Sequence, residues 1–230
     1  MDKIQSGPLI LSVETATLSG SVALARGEEI VAVLAGDAGI SHSNTLLKDI
    51  DKLLHVTQVD LSEIDLFAVA TGPGSFTGLR IGIATVKGLA TTLDRPCAGV
   101  PTLHALALSG DESARTVALL PAGRGEVFAQ LFSVTKDGLV TELDKATHIS
   151  PQRLLAKYGS LESVLWCGEG AIANKALLEK PGWQIAAPSR NLATHVASLA
   201  LTKFREKQLE HPNALQAIYV RPSDAELKVQ

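Results

Sequence analysis

The chain has 230 residues, 46% of them apolar and 20% charged, which is enough to bury one large core or two smaller ones and excludes a disordered or collagen-like chain. A formal charge of −3 and a pI near 6.1 give no general attraction to phosphate backbones, which argues against RNA binding by the chain alone. Three β-rich runs come first, Leu9 to Val13, Gly20 to Ala25 and Glu29 to Leu34, separated by short polar or glycine-containing breaks that read as an antiparallel meander. Ser41 and Ser43 then offer caps for an amphipathic helix in which Leu46, Leu47, Ile50, Leu53 and Leu54 recur at helical spacing. A buried strand at Leu66 to Ala70, a helix from Ser75 to Leu93 and a strand at Cys97 to Val100 complete this half.

Beyond Pro101 a similar order begins again. Strands are predicted at Thr116 to Leu120, Glu126 to Val134 and near Val140, followed by a helix at Pro151 to Tyr158, a strand at Val164 to Cys167 and a helix at Ile172 to Leu178. Ser189 or Asn191 caps a last helix whose apolar face is Ala193, Val196, Ala197, Ala200 and Phe204, and Ala214 to Val220 closes the pattern as an apolar segment. With no low-complexity linker, the repeat implies two closely packed α/β lobes. The first spans residues 1–105 and is completed by 205–230; the second, smaller lobe spans 106–204.

The informative segment is TGPGSFTGLRIG, Thr71 to Gly82, a strand end running through glycines into a helix, a geometry that presents backbone N–H groups to an anion. It is not a Walker A loop, since Gly78 is followed by Leu79 and Arg80, and its glycines are one residue out of GxGxxG spacing. Ser75 reads as a helix cap. Within the helix, Gly78, Gly82 and Gly88 each cost about 1 kcal/mol relative to Ala. Gly78 and Gly82 lie four apart on one face, so another backbone approaches there, either inside the chain or from a partner; Leu79, Ile83, Val86 and Ala90 make a second face.

Other chemistry finds little support. The six histidines form neither HExxH nor HxxxH, there is no GxSxG elbow, and Cys97 and Cys167 lack CxxC spacing and read as buried, reduced thiols. Met1 to Pro8 lacks a secretory hydrophobic region, and no stretch approaches the about 18 apolar residues that span a bilayer, so a cytoplasmic location away from membranes is expected.

The string from Asp65 to Leu103, DLFAVATGPGSFTGLRIGIATVKGLATTLDRPCAGVPTL, resembles the diagnostic segment of the TsaB family, formerly called YeaZ. Weaker matches lie at Ile10 to Leu24, Ser41 to Leu54, Gly125 to Val127, Gly168 to Gly170 and Tyr219 to Arg221. The resemblance implies a duplicated RNase-H-like architecture, the α/β fold of actin, sugar kinases and Hsp70. It also implies a non-catalytic subunit of the machinery that makes threonylcarbamoyladenosine beside the tRNA anticodon. Its partners would be the catalytic paralogue TsaD, the ATPase TsaE and a second copy through the same face, with tRNA reached only through the complex. ATP and a metal would belong to the partner complex, and the isolated chain would carry no cofactor. Leu46, Leu47, Ile50, Leu54, Gly78, Gly82, Ile83 and Val86 would form the partner face; Gly72, Gly74, Ser75, Thr77, Gly168 and Gly170 would serve as loop or nucleotide contacts.

The sequence differs from the paralogue TsaD at one place and departs from the family pattern at two. Thr102 and Leu106 stand where TsaD carries its metal-binding histidines, with His104 between them as a packing or surface residue. Glu14 replaces the Asp of many relatives, and Pro121 replaces the acid of a common Asp-Ala-Arg-Arg-Gly-Glu. No catalytic or metal-binding residue is assigned. The competing reading is an actin-like ATPase or phosphotransferase using the cleft between lobes; the older glycoprotease label has no catalytic residues to support it.

Overall fold

A computed structural model describes residues 7–37, 39 and 42–220. Five strands form a sheet in the order β3-β2-β1-β4-β5: β1 (Leu9–Glu14), β2 (Ser21–Arg26), β3 (Glu29–Ala35), β4 (Leu66–Gly72) and β5 (Cys97–Pro101). The first three are antiparallel, and β1, β4 and β5 are parallel. All residues of β1 and β4 are buried, as central strands covered on both faces require. Alternation divides β1. Leu9, Leu11 and Val13 pack with Leu46, Ile50 and Leu53 of α1 (His42–Thr57) and with Ile83 and Val86 of α2 (Phe76–Thr92). On the opposite face, Ser12 Oγ donates to the Ala193 carbonyl at 2.8 Å, and Ala193 N–H donates to Ser21 Oγ at 2.9 Å, fixing the start of α6 (Leu192–Arg205).

A second sheet repeats this topology. Its order, β8-β7-β6-β10-β11, is built from β6 (Ser113–Gly123), β7 (Glu126–Val134), β8 (Val140–Glu142), β10 (Val164–Cys167) and β11 (Trp183–Ile185), while β9 (Thr147–Ile149) pairs with β7. Again three strands are antiparallel and β6, β10 and β11 are parallel. On one face, Leu154 and Tyr158 of α4 (Pro151–Tyr158) and Ala171 of α5 (Glu169–Ala173) pack on Val117, Leu119 and Trp166. Another helix, α3 (Thr102–Leu108), packs on β6 and β7.

Several expectations are corrected. The boundary between the units falls at Pro101/Thr102, and α6 belongs to the first unit, which comprises the chain through Pro101 and Arg190–Ala217. The second comprises Thr102–Ser189 and the described residues from Ile218 on. Helix α6 follows the second unit in sequence, but its buried face matches β1 and β2. The helix expected at Ile172 to Leu178 is instead α5 followed by a 3-10 turn at Lys175–Leu177, because Asn174, at φ −109°, interrupts it. Phe204 is 39% exposed and lies off the apolar face of α6. Among the caps and motifs read from sequence, Ser41 and Arg221 lie outside the described residues.

Candidate functional site

The glycine-rich segment folds against the β1–β2 turn. Strand β4 ends at Gly72, and Ser75 caps α2, its hydroxyl accepting from Gly78 N–H at 3.2 Å. Ser75 N–H donates to the Ala16 carbonyl at 2.8 Å, and Thr15 Oγ1 donates to the Gly78 carbonyl at 2.8 Å. The glycines permit this approach. A Cβ on Gly74 would lie 2.6 Å from the Ala16 carbonyl oxygen; on Gly78 it would run into the Thr15 carbonyl, and on Gly82 into Thr15 Oγ1. The cost of two mid-helix glycines is therefore offset by a close helix–turn junction inside the unit.

Glu14 ends β1 with 1% exposure, and its carboxylate is enclosed by its own turn. Oε1 accepts from Ala16 N–H at 2.5 Å and Thr17 N–H at 2.7 Å, and Oε2 accepts from Thr17 Oγ1 at 2.7 Å. A phosphate would need those amides, yet the buried Glu14 side chain already holds them. The residues of this turn and loop therefore do not fit a nucleotide phosphate. In the second unit, Gly168 (φ +99°) and Gly170 are buried packing glycines: a Cβ on the first would strike the Leu119 carbonyl and the Leu106 side chain, and one on the second would sit 2.9 Å from the Leu119 carbonyl carbon. Both glycines are therefore kept small by packing inside the unit. Thr77 is exposed on the first turn of α2, and Gly72 is buried at the strand end.

The expected partner face also needs correction. Leu46, Ile50, Ile83 and Val86 are at most 8% exposed, Gly78 and Gly82 are buried, and Leu54 packs against the core, so these side chains face inward. Of that set Leu47, 63% exposed, points out. The outer side of α2 carries Phe76, with the Arg80 guanidinium 3.9 Å over its ring, then Ala84 and Gly88; a Cβ on Gly88 would meet nothing within 4 Å. Among the described residues no internal packing accounts for Gly88.

Titratable groups of the second unit serve structure. His104 pairs with Glu142 at 2.9 Å and meets the Phe132 ring edge-on; His148 pairs with Glu126 at 2.9 Å and lies against Phe128. Thr102 and Leu106 are buried. Burial pushes the Cys167 thiol up to about 12 and, with the Glu210 charge adding, the Cys97 thiol up to about 11. Among the described residues no group of three or more His, Cys, Asp or Glu could hold a metal, and no helix is long and apolar enough to cross a membrane.

Residues 33–220 match the TsaD family, described as tRNA N6-adenosine threonylcarbamoyltransferase. The chain is 26% identical over 226 residues to the tRNA threonylcarbamoyladenosine biosynthesis protein TsaB of Bacillus subtilis, covering 95% of this chain and 96% of that protein. The chain belongs to the TsaD family, among its TsaB (YeaZ) members. TsaB of Haemophilus influenzae is 28% identical over 225 residues, covering 92% of this chain and 93% of its own. YeaZ from Pseudomonas aeruginosa superposes with a TM-score of 0.79 at 25% identity, covering 92% of this chain and 99% of that one. A 2-hydroxyisocaproyl-CoA dehydratase activator from Clostridium difficile, solved with bound ADPNP, shares the fold at a TM-score of 0.53 and 11% identity, covering 92% of this chain and 99% of its own. Like those neighbours, this TsaB-family chain has the duplicated actin-like architecture.

The cost of the glycines is readable in the sequence, but their counterparts Thr15 and Ala16 are not. The i, i+4 spacing of Gly78 and Gly82 marked a contact face; nothing in the sequence said which backbone would fill it.

Proposed function

We propose that the chain acts in tRNA threonylcarbamoyladenosine biosynthesis as a non-catalytic cytoplasmic subunit that binds and activates TsaD. The observation carrying this reading is the closed glycine loop: in a chain of the TsaD family, the amides of the β1–β2 turn are held by Glu14 instead of being open to phosphate. The ATPase alternative loses its support there and at Gly168. The docking surface is the outer side of α1 and α2, with Leu47, Phe76, Ala84 and Gly88 replacing the inward-facing residues expected from sequence. A helix interior that keeps an exposed glycine with open space before it suits close approach of a second backbone. The same surface would serve a second copy of the chain, and TsaE and tRNA would join through TsaD.

The test is co-purification with TsaD, followed by modification of tRNA in a mixture reconstituted with TsaE. Gly88→Leu should leave the melting temperature of the isolated chain unchanged or higher while abolishing co-purification and modification. Full modification by the variant would remove the α2 surface from the proposal. Phosphate release from ATP by the purified chain alone would remove the non-catalytic role.

A further inference from the structure

The outer edge of β5 is a short, apolar stretch, Cys97-Ala98-Gly99-Val100, with no neighbouring strand in the sheet among the described residues. The other edges of the two sheets, among the described residues, are blunted by ordinary means: β8 and β11 have three residues each, and β3 carries a bulge at Val31, between the pairs Leu24↔Ala32 and Ala25↔Ile30. Strand β5 is covered differently, by the segment 206–217 that follows α6. Cys97 N–H donates to the Glu210 carbonyl at 2.9 Å, and Glu210 N–H donates to the Cys97 carbonyl at 2.8 Å, a single antiparallel bridge. At Gly99, the next outward-facing residue, side chains take over: its N–H donates to Glu210 Oε1 at 3.3 Å, and its carbonyl accepts from Lys203 Nζ at 2.7 Å. Beyond it, Pro101 has no N–H to satisfy.

The segment is anchored by Leu215, 1% exposed within the first core. Its seat is made by Gly99, where a Cβ would lie 2.9 Å from Leu215 Cδ1. Lys87 Nζ on α2 donates to the Leu215 carbonyl at 3.0 Å. Four outward polar groups of β5 are thus satisfied by one residue of main chain and two side chains, where a neighbouring strand would supply a continuous ladder.

We propose that residues 206–217 are a displaceable strap, and that the edge of β5 beneath it is a strand-acceptor groove that takes the same segment from a second copy of the chain. The strap carries the sequence already fitted to the groove, with Leu215 as its anchor, so exchange between copies conserves every contact. Lys207, at φ +59° where α6 turns into the strap, gives the hinge a strained residue. This inference is independent of the proposed role with TsaD.

Cys97 lies in the same core cluster as Leu215, and Cys167 lies in the second unit, so the two thiols report opening separately. The experiment is N-ethylmaleimide labelling of the full chain under native conditions, read at each cysteine by mass spectrometry. Leu215→Ala should label Cys97 at least about tenfold faster than the parent, with Cys167 unchanged, because losing a buried leucine anchor weakens the strap selectively. Lys87→Met, which removes a surface tether and leaves the core intact, should give a smaller acceleration at Cys97 alone. Adding a synthetic peptide of residues 206–217 should slow Cys97 labelling in Leu215→Ala, and a peptide with alanine in place of Leu215 should not. Equal acceleration at both cysteines, or an unchanged Cys97 rate in both variants, overturns the strap. Failure of the parent peptide to protect Cys97 overturns the acceptor groove.

Discussion

In the first unit the helix after the third strand, α1, has 16 residues, and α2 after the fourth has 17; their counterparts in the second unit, α4 and α5, have 8 and 5. The strand order is nevertheless the same in both. Where helices are short, large side chains fill the layer: Trp166 packs 4.8 Å from Trp183 and 6.1 Å from Tyr158, centroid to centroid, and Tyr158 donates its hydroxyl to Asp144 at 2.7 Å. Where helices are long, small residues bring them close, as Gly78 and Gly82 do against Thr15. One topology is thus stabilised by aromatic volume in one unit and by close backbone approach in the other. Long helices also leave outward faces, which is why the proposed docking surface lies on the first unit.

The largest test removes the aromatic filler. Trp166→Ala should destabilise the second unit by about 3 to 5 kcal/mol, seen as an early loss of Trp183 fluorescence on denaturant titration, with Cys97 still protected from labelling. Gly82→Leu attacks the other device and should cost about 1 to 3 kcal/mol in the first unit, with Cys97 exposed before the tryptophan signal changes. Loss of both signals together in either variant would break the comparison.

A smaller effect of opposite sign sharpens it. Gly88 has open space before it, so Gly88→Ala should stabilise the isolated chain by about 1 kcal/mol in chemical denaturation, through helix propensity alone. The three long helices of the first unit also end without glycine. Gln58, Asp94 and Lys207 take φ of +55°, +51° and +59°, while the following residues Val59, Arg95 and Gln208 donate back to Leu54, Ala90 and Lys203. Gln58→Gly should relieve that strain and raise stability by about 0.5 to 1 kcal/mol.

The smallest expected effect is a pH dependence in the first unit. Burial lowers the His195 pKa from 6.5, so on acidification the unfolded chain takes up the proton before the folded one. The stability associated with neutral His195 is complete above about pH 6.5 and is lost as the pH falls below it. His195→Gln should flatten this slope in denaturant midpoints measured between neutral and mildly acidic pH.

The central strands were legible because their apolar runs are long and bounded by turn residues. The same holds for the cap at Ser75 and, apart from Leu47 and Phe204, the amphipathic faces of α1 and α6, where local spacing and local chemistry agree. The three-residue strands β9 and β11 were not legible, since so few residues carry no period and owe their state to the strands beside them. Helix α6 shows its apolar face in sequence, yet the sheet it covers depends on Ser12 and Ser21, 181 and 172 positions away from Ala193. The cost of Gly78 and Gly82 could be read from propensity. That Thr15 fills their space, that Glu14 closes the turn on itself, and that Gly88 faces outward were decided only by the tertiary structure, because each depends on which distant backbone the fold brings within contact.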